Sequence, residues 1–199
     1  IREIVSDLQV DVQASVTGPS RQRVIQYCQS DFELMSELTE RAGLYFFLSE
    51  DELRVFTLEG TGDTVDLRLG TSLLEARVEV NGDSSCRSVS TTGWDPLRVE
   101  QHEAKASGAR SGRDVEAQVD PSAIGGSDER MIIDEVLADD LQAEAIAQAE
   151  LDLRAAREVV LRGVAEGNPK LQPGTPVNIE NIAGSIAGKY ILTSVDHTF

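Results

Sequence analysis

His102, His197, Cys28 and Cys86 are the only histidines and cysteines in a chain of 199 residues, and they bound its imidazole and thiol chemistry. Structural or catalytic metal sites draw such ligands from short spacings of the C-x-x-C, H-x-x-x-H or H-E-x-x-H kind, and none of these patterns occurs. The histidines read as structural, His102 beside a loop and His197 in the last strand. The cysteines read as two buried, reduced thiols, with one disulfide as the alternative. Carboxylates are too numerous to single out by adjacency. Asp139-Asp140 and Glu50-Asp51 have the right residue types for acid–base work, but such work needs two carboxylates facing each other across a cleft. The Gly-rich run Ser122 to Ser127 lacks the lysine and the helix start that cradle a phosphate, and no G-x-S-x-G elbow is present. No catalytic, cofactor-binding or metal-ligating residue is assigned, and the chain is expected not to be an enzyme.

Charge narrows the partners. With 35 acidic and 18 basic residues the formal net charge is −17, the reverse of what a phosphate-neutralising surface needs. Lys105, Arg110 and Arg113 form the best basic cluster, read as part of a solvated loop, so no nucleic-acid binding is expected. Hydrophobic residues make up 40% and charged ones 27%, an ordinary globular composition. No apolar run approaches the roughly 20 residues that a membrane helix needs, so no membrane span is expected. Ile1-Arg2-Glu3-Ile4 lacks the basic flank and apolar core of a signal peptide. It reads as the continuation of a longer chain made in the cytoplasm.

The elements that would position any site are clearest from Arg23 to Leu58. Arg23 to Tyr27 reads as a strand. Ser30-Asp31-Phe32-Glu33 is a capping box opening a helix, with Leu34, Met35, Leu38 and Ala42 on one face and Gly43 as a left-handed C-cap. Leu44 to Leu48 and Leu53 to Leu58 then read as the two strands of a hairpin. Upstream, Ile1, Ile4, Val5 and Leu8 have helical spacing, Val10 to Val16 alternate as a strand, and Gly18-Pro19-Ser20 is a turn. Downstream, Leu74 to Val80 should pair with Cys86 to Thr92 through Asn81-Gly82-Asp83, the strongest hairpin signal in the chain. Gly93-Trp94-Asp95-Pro96 reads as a turn with Trp94 as a cap on the core, followed by a strand from Leu97 to Gln101. Residues 103–130 show no sustained period and read as a long, mobile insertion with Gly108, Gly112, Gly125 and Gly126. A strand at Met131 to Val136 and a long helix near 139–157 follow, and strands at Val159 to Leu161, Val177 to Glu180 and Lys189 to Phe199 close the chain.

The fold expectation is α+β. A small helix-on-sheet domain spans 1–62, and a mostly antiparallel β-barrel with the long helix packed outside spans 63–199.

Three segments carry a family likeness. Val24-Ile25-Gln26-Tyr27, Ser30-Asp31-Phe32 and Glu40-Arg41-Ala42-Gly43-Leu44-Tyr45-Phe46-Phe47 together resemble one passage of the VgrG spike and phage late control protein D family. Arg162-Gly163, Gly167-Asn168-Pro169, Leu171 and Pro173-Gly174-Thr175 resemble its turn region. Gly188-Lys189-Tyr190 with Thr193-Ser194-Val195-Asp196-His197 resembles its closing strand. The resemblance implies a baseplate hub of a contractile phage tail, an injection system or type VI secretion. Such hubs are homotrimers whose β-barrels form a pseudo-sixfold ring between tail tube protein and spike protein. It transfers no catalytic residue and implies a subunit assembled into a virion tail or injection particle. It also implies that this chain covers the small α/β domain and the second barrel. The alternatives from other classes are a tail-associated cell-wall hydrolase and a glycan-binding adhesin. The latter is poorly served by 5% aromatic residues.

Overall fold

Helix α1 (Asp31–Glu40) forms where its caps dictate. The Glu33 amide donates to Ser30 Oγ at 3.3 Å, and the Ser30 amide donates to Glu33 Oε2 at 2.8 Å, closing the capping box. At the other end Gly43 takes φ +65, its amide donates to Glu40 O, and the Leu44 amide reaches back to Thr39 O, a Schellman ending. A Cβ on Gly43 would also stand 3.2 Å from Ala149, so conformation and close approach both demand glycine. The computed structural model describes residues 1–6, 10–14, 16, 24–83, 85–124 and 127–198, the side chains of 134 and 135 excepted. Leu8, the Gly18-Pro19-Ser20 turn, Arg23, Gly125, Gly126 and Phe199 lie outside the described residues.

Two compact units are present. The first comprises Ile1–Thr57, Arg87–Ala109 and Glu129–Leu151. In it β1 (Asp11–Ala14) pairs parallel with β3 (Glu52–Phe56), which pairs antiparallel with β2 (Tyr45–Ser49), the expected hairpin. Val5, Met35 and Leu53 form a core cluster with Ile1, Val10, Val12 and Phe46 around it. The same unit holds a second sheet, in which β6 (Ser88–Asp95) lies between antiparallel β7 (Glu100–Ala106) and parallel β8 (Glu129–Val136).

The second unit comprises Leu58–Cys86, Arg110–Asp128 and Asp152–Phe199. Here β4 (Val65–Arg68) pairs parallel with β10 (Pro176–Glu180), which pairs antiparallel with β11 (Gly188–Ile191). A two-stranded antiparallel ribbon joins β5 (Leu73–Val80) to β9 (Val159–Ala165). Leu67, Leu73, Val159, Leu171, Val177, Ile179 and Tyr190 make its core. Helix α2 (Asp140–Glu158) gives residues through Leu151 to the first unit and the rest to the second. Two helices and eleven strands in mixed sheets, among the described residues, make the chain α+β, as the sequence leads one to expect.

Several local expectations are corrected. Asn81-Gly82 does not close a hairpin: β5 is taken by β9, and Gly82 lacks the positive φ that the two-residue turn requires. Asn81 Oδ1 instead accepts from the Asp83 amide, and the side chains of Val119 and Ile124 lie where a Cβ on Gly82 would stand, so they would have to shift for one. Trp94 and Asp95 belong to β6, and the turn comes at 96–99, where the Val99 amide donates to Asp95 O. Residues 103–106, read as loop, continue β7: His102, Ala104 and Ala106 turn inward while Gln101, Glu103 and Lys105 face out. Small alanines in place of large aliphatics hid that alternation. At the carboxy terminus the strand ends at Ile191, one ladder bond short of Leu192, whose amide still donates to Thr175 O. Val24–Tyr27 is in no strand, and residues 2–5 make a turn rather than a regular helix.

Candidate interaction surface

The side chains with chemical potential are held by contacts within the chain. His102 Nδ1 lies 2.9 Å from Asp140 Oδ1, while its Nε2 and the hydroxyl of Thr91 are buried without partners. Thr91 is opposite Ala104 and Gly93 opposite His102, so Thr91 and His102 are diagonal neighbours on one sheet face. Hydroxyl, imidazole and carboxylate in this order have the composition of a nucleophilic triad. Thr91, however, is 0% exposed, so no substrate reaches its oxygen, and the pair pins β7 to the first turn of α2. Asp139 caps that helix by accepting from the Gln142 amide at 2.8 Å. Nearby, Asp95 is buried and accepts from the Leu97 and Arg98 amides at 2.7 and 3.1 Å. The Leu97 amide holds its carboxyl below the usual carboxylate range, against the opposing effect of burial.

The remaining candidates do not converge. Cys28 is exposed and Cys86 buried, and neither is in a disulfide, which corrects the expectation of two buried thiols. His197 Nε2 is 3.0 Å from Leu171 O, tying the last residues to the turn before β10. Each member of the basic cluster faces a carboxylate: Lys105 with Glu129 at 2.8 Å, Arg110 with Asp152 at 3.8 Å, and Arg113 with Glu158 at 3.6 Å. Glu50 and Asp51 form the β2–β3 turn, and Ser122 bonds Asp120 through both its amide and its hydroxyl. Among the described residues no three His, Cys, Asp or Glu side chains gather as a metal cage. No described helix is long and apolar enough to cross a membrane.

What the first unit does assemble is an exposed apolar sheet face. Along β6 the buried residues are Val89, Thr91, Gly93 and Asp95, which leaves Ser90, Thr92 and Trp94 on the other side. Ser90 is opposite Met131 and Trp94 opposite Val136, so β8 extends this outward face. Met131, Ile133 and Val136 are 61%, 60% and 76% exposed, and Trp94 is 48% exposed rather than capping the core. Leu97 and Val99, in the adjoining turn, are more exposed than Trp94. The outer edge of β8 has no pairing strand among the described residues. This apolar face adjoins an eight-residue edge strand that holds no proline but carries Glu129, Arg130, Asp134 and Glu135 around its apolar residues. The residue types of Met131 to Val136 mark β8 as a strand but do not mark its exposure. The only signal was the charge bracketing Met131-Ile132-Ile133, which a fully buried strand would not tolerate.

Residues 1–199 match the family described as the Alg8 N-terminal domain, Alg8_N. No curated protein matches the chain. Solved structures share its fold. The 43 kDa tail protein of prophage MuSo2 from Shewanella oneidensis aligns with TM-score 0.61 and 15% identity over 96% of this chain and 56% of that one. A tail protein from Neisseria meningitidis MC58 aligns with TM-score 0.57 and 13% identity over 96% and 58%. Prophage tail protein gp18 from Listeria monocytogenes EGD-e aligns with TM-score 0.56 and 13% identity over 96% and 57%. The chain thus spans 56% to 58% of the length of these three proteins.

Proposed function

The chain belongs to the Alg8 N-terminal domain family, and from its fold we propose that it is a structural subunit of a phage tail or a phage-tail-like contractile injection system. The observation that carries this reading is the fold shared across 96% of the chain with tail proteins of three different bacteria. Within such a particle its place is the baseplate hub, a trimeric ring joining the tail tube to the spike. The three sequence segments that resemble the VgrG and late control protein D family support that finer assignment. The chain works by assembly rather than by turnover. The apolar face of β6 and β8 supplies contact area, and closed symmetry lets one sequence present repeated surfaces to a tube. Part of the −17 charge lines the channel, where it keeps DNA or an acidic payload from adhering.

Deleting the gene in a particle-forming host tests the role. The expected result is tubes without spikes, seen by electron microscopy and restored by complementation. Complete, spike-bearing particles from the deletion strain would overturn the hub. Release of soluble fragments from peptidoglycan by purified protein would replace it with the hydrolase reading.

A further inference from the structure

Val24–Tyr27 is a strand-forming segment without a sheet. Valine, isoleucine and tyrosine favour extended, half-buried backbone, yet these residues stand 46%, 71% and 80% exposed. Among the described residues, Val24, Ile25 and Tyr27 make no backbone hydrogen bond. The segment is nonetheless anchored. Gln26 Nε2 donates to Gln29 O and to Asp31 Oδ1, both at 2.9 Å, and Cys28 turns the chain into the α1 cap with φ +51. In the same unit β8 shows the complementary deficit, a sheet edge with no next strand among the described residues and with exposed Met131 and Ile133 beside it. Val24-Ile25-Gln26-Tyr27 and Met131-Ile132-Ile133 carry no charge, in a chain whose formal net charge is −17.

We propose that Val24–Tyr27 of one copy adds as a strand to the outer edge of β8 in a second copy of this chain. The inference rests on the self-assembling reading given above and names the contact. Main-chain hydrogen bonds provide the attraction, and alternate side chains, Ile25 or Tyr27 against Met131 and Ile133, provide the selectivity. The contact is heterologous, arm to edge, so it propagates around a ring and leaves no arm or edge unused when the ring closes. Four residues bury less than a stable interface requires, so this strand acts together with other contacts in the closed ring.

The test uses the 199-residue chain and two variants. Ile25→Pro removes an amide from the arm, and Ile133→Lys places a charge on the edge. Light scattering should show the wild-type chain assembled and each variant at the mass of one chain. Unchanged circular dichroism and melting would tie that loss to assembly. Ile25→Thr, which keeps the amide, should assemble. Assembly of either Ile25→Pro or Ile133→Lys to the wild-type mass overturns the strand addition and leaves self-assembly standing. A wild-type chain that stays at the mass of one chain overturns both.

Discussion

Residues 110–119 and Val24–Tyr27 are both outside regular strands, and they treat their backbone in opposite ways. The first segment spends its polar groups inside the second unit. The amides of Arg110, Gly112, Asp114, Ala117 and Val119 donate to Asp152, Leu58 O, Lys189 O, Ser185 O and Glu158. The Arg113 guanidinium donates to Ala155 O and Val159 O at the end of α2 and faces Glu158, which is only 3% exposed. Val24–Tyr27, in the first unit, has strand-forming side chains, and Val24, Ile25 and Tyr27 make no backbone hydrogen bond among the described residues. The difference teaches that irregular backbone becomes fixed when buried groups complete it, whereas extended backbone left incomplete is open to a partner.

Breaking the first region should have the largest effect. Glu158→Ala removes the buried carboxylate that faces Arg113 and accepts from the Val119 amide, and should lower unfolding free energy by about 3–5 kcal/mol in a denaturant titration. Equal stability of the variant would mean that the segment is held by its backbone alone. Gly188→Ala comes next. Gly188 has φ +133, and a Cβ there would collide with Asp114 O, whose residue bridges Lys189, so a loss of about 1–3 kcal/mol is expected in the same assay. Ser30→Ala removes the cap that joins the exposed arm to α1 and should lose about 1 kcal/mol, read by thermal melting.

Glu33 sharpens the contrast through pH. Its carboxyl lies below the ordinary 4.5, chiefly because the Ser30 amide bonds it and then because the Ser30 hydroxyl does. A depressed carboxylate contributes stability that is present above its unfolded value and is lost as pH falls through the folded one. Melting temperature should therefore drop on acidification below pH 4.5, and Glu33→Gln should reduce that dependence. A slope identical to wild type would show that other carboxylates dominate. The smallest effect is expected in the arm: Ile25→Pro should change the stability of the unassembled chain by no more than about 0.5 kcal/mol, since no backbone bond is lost. A loss comparable to Glu158→Ala would show that the arm is paired within its own chain.

Where the fold was legible, the information was local. The Ser30–Glu33 box, the Gly43 stop and the apolar face of α1 need only neighbours within a few residues, and the hairpin of β2 and β3 follows from a short turn. Asn81-Gly82 misled because a turn propensity of this size is easily outweighed when β9 offers β5 a full ladder. The exposure of Trp94 was not legible either, since a tryptophan beside a turn has the same local sequence whether it caps a core or waits on a surface.

By itself, then, the sequence determined the α+β class, the caps and most strand segments, because propensity, capping and periodicity act over one or two turns of chain. It also limited the chemistry, because two histidines and two cysteines at long spacings leave few arrangements. Only the tertiary structure decided which strands pair, that Lys105, Arg110 and Arg113 each meet a carboxylate, and that the apolar residues of β8 face outward. Those outcomes depend on contacts between residues far apart in the chain, and the free energy of such contacts is set by what the folded chain brings beside them.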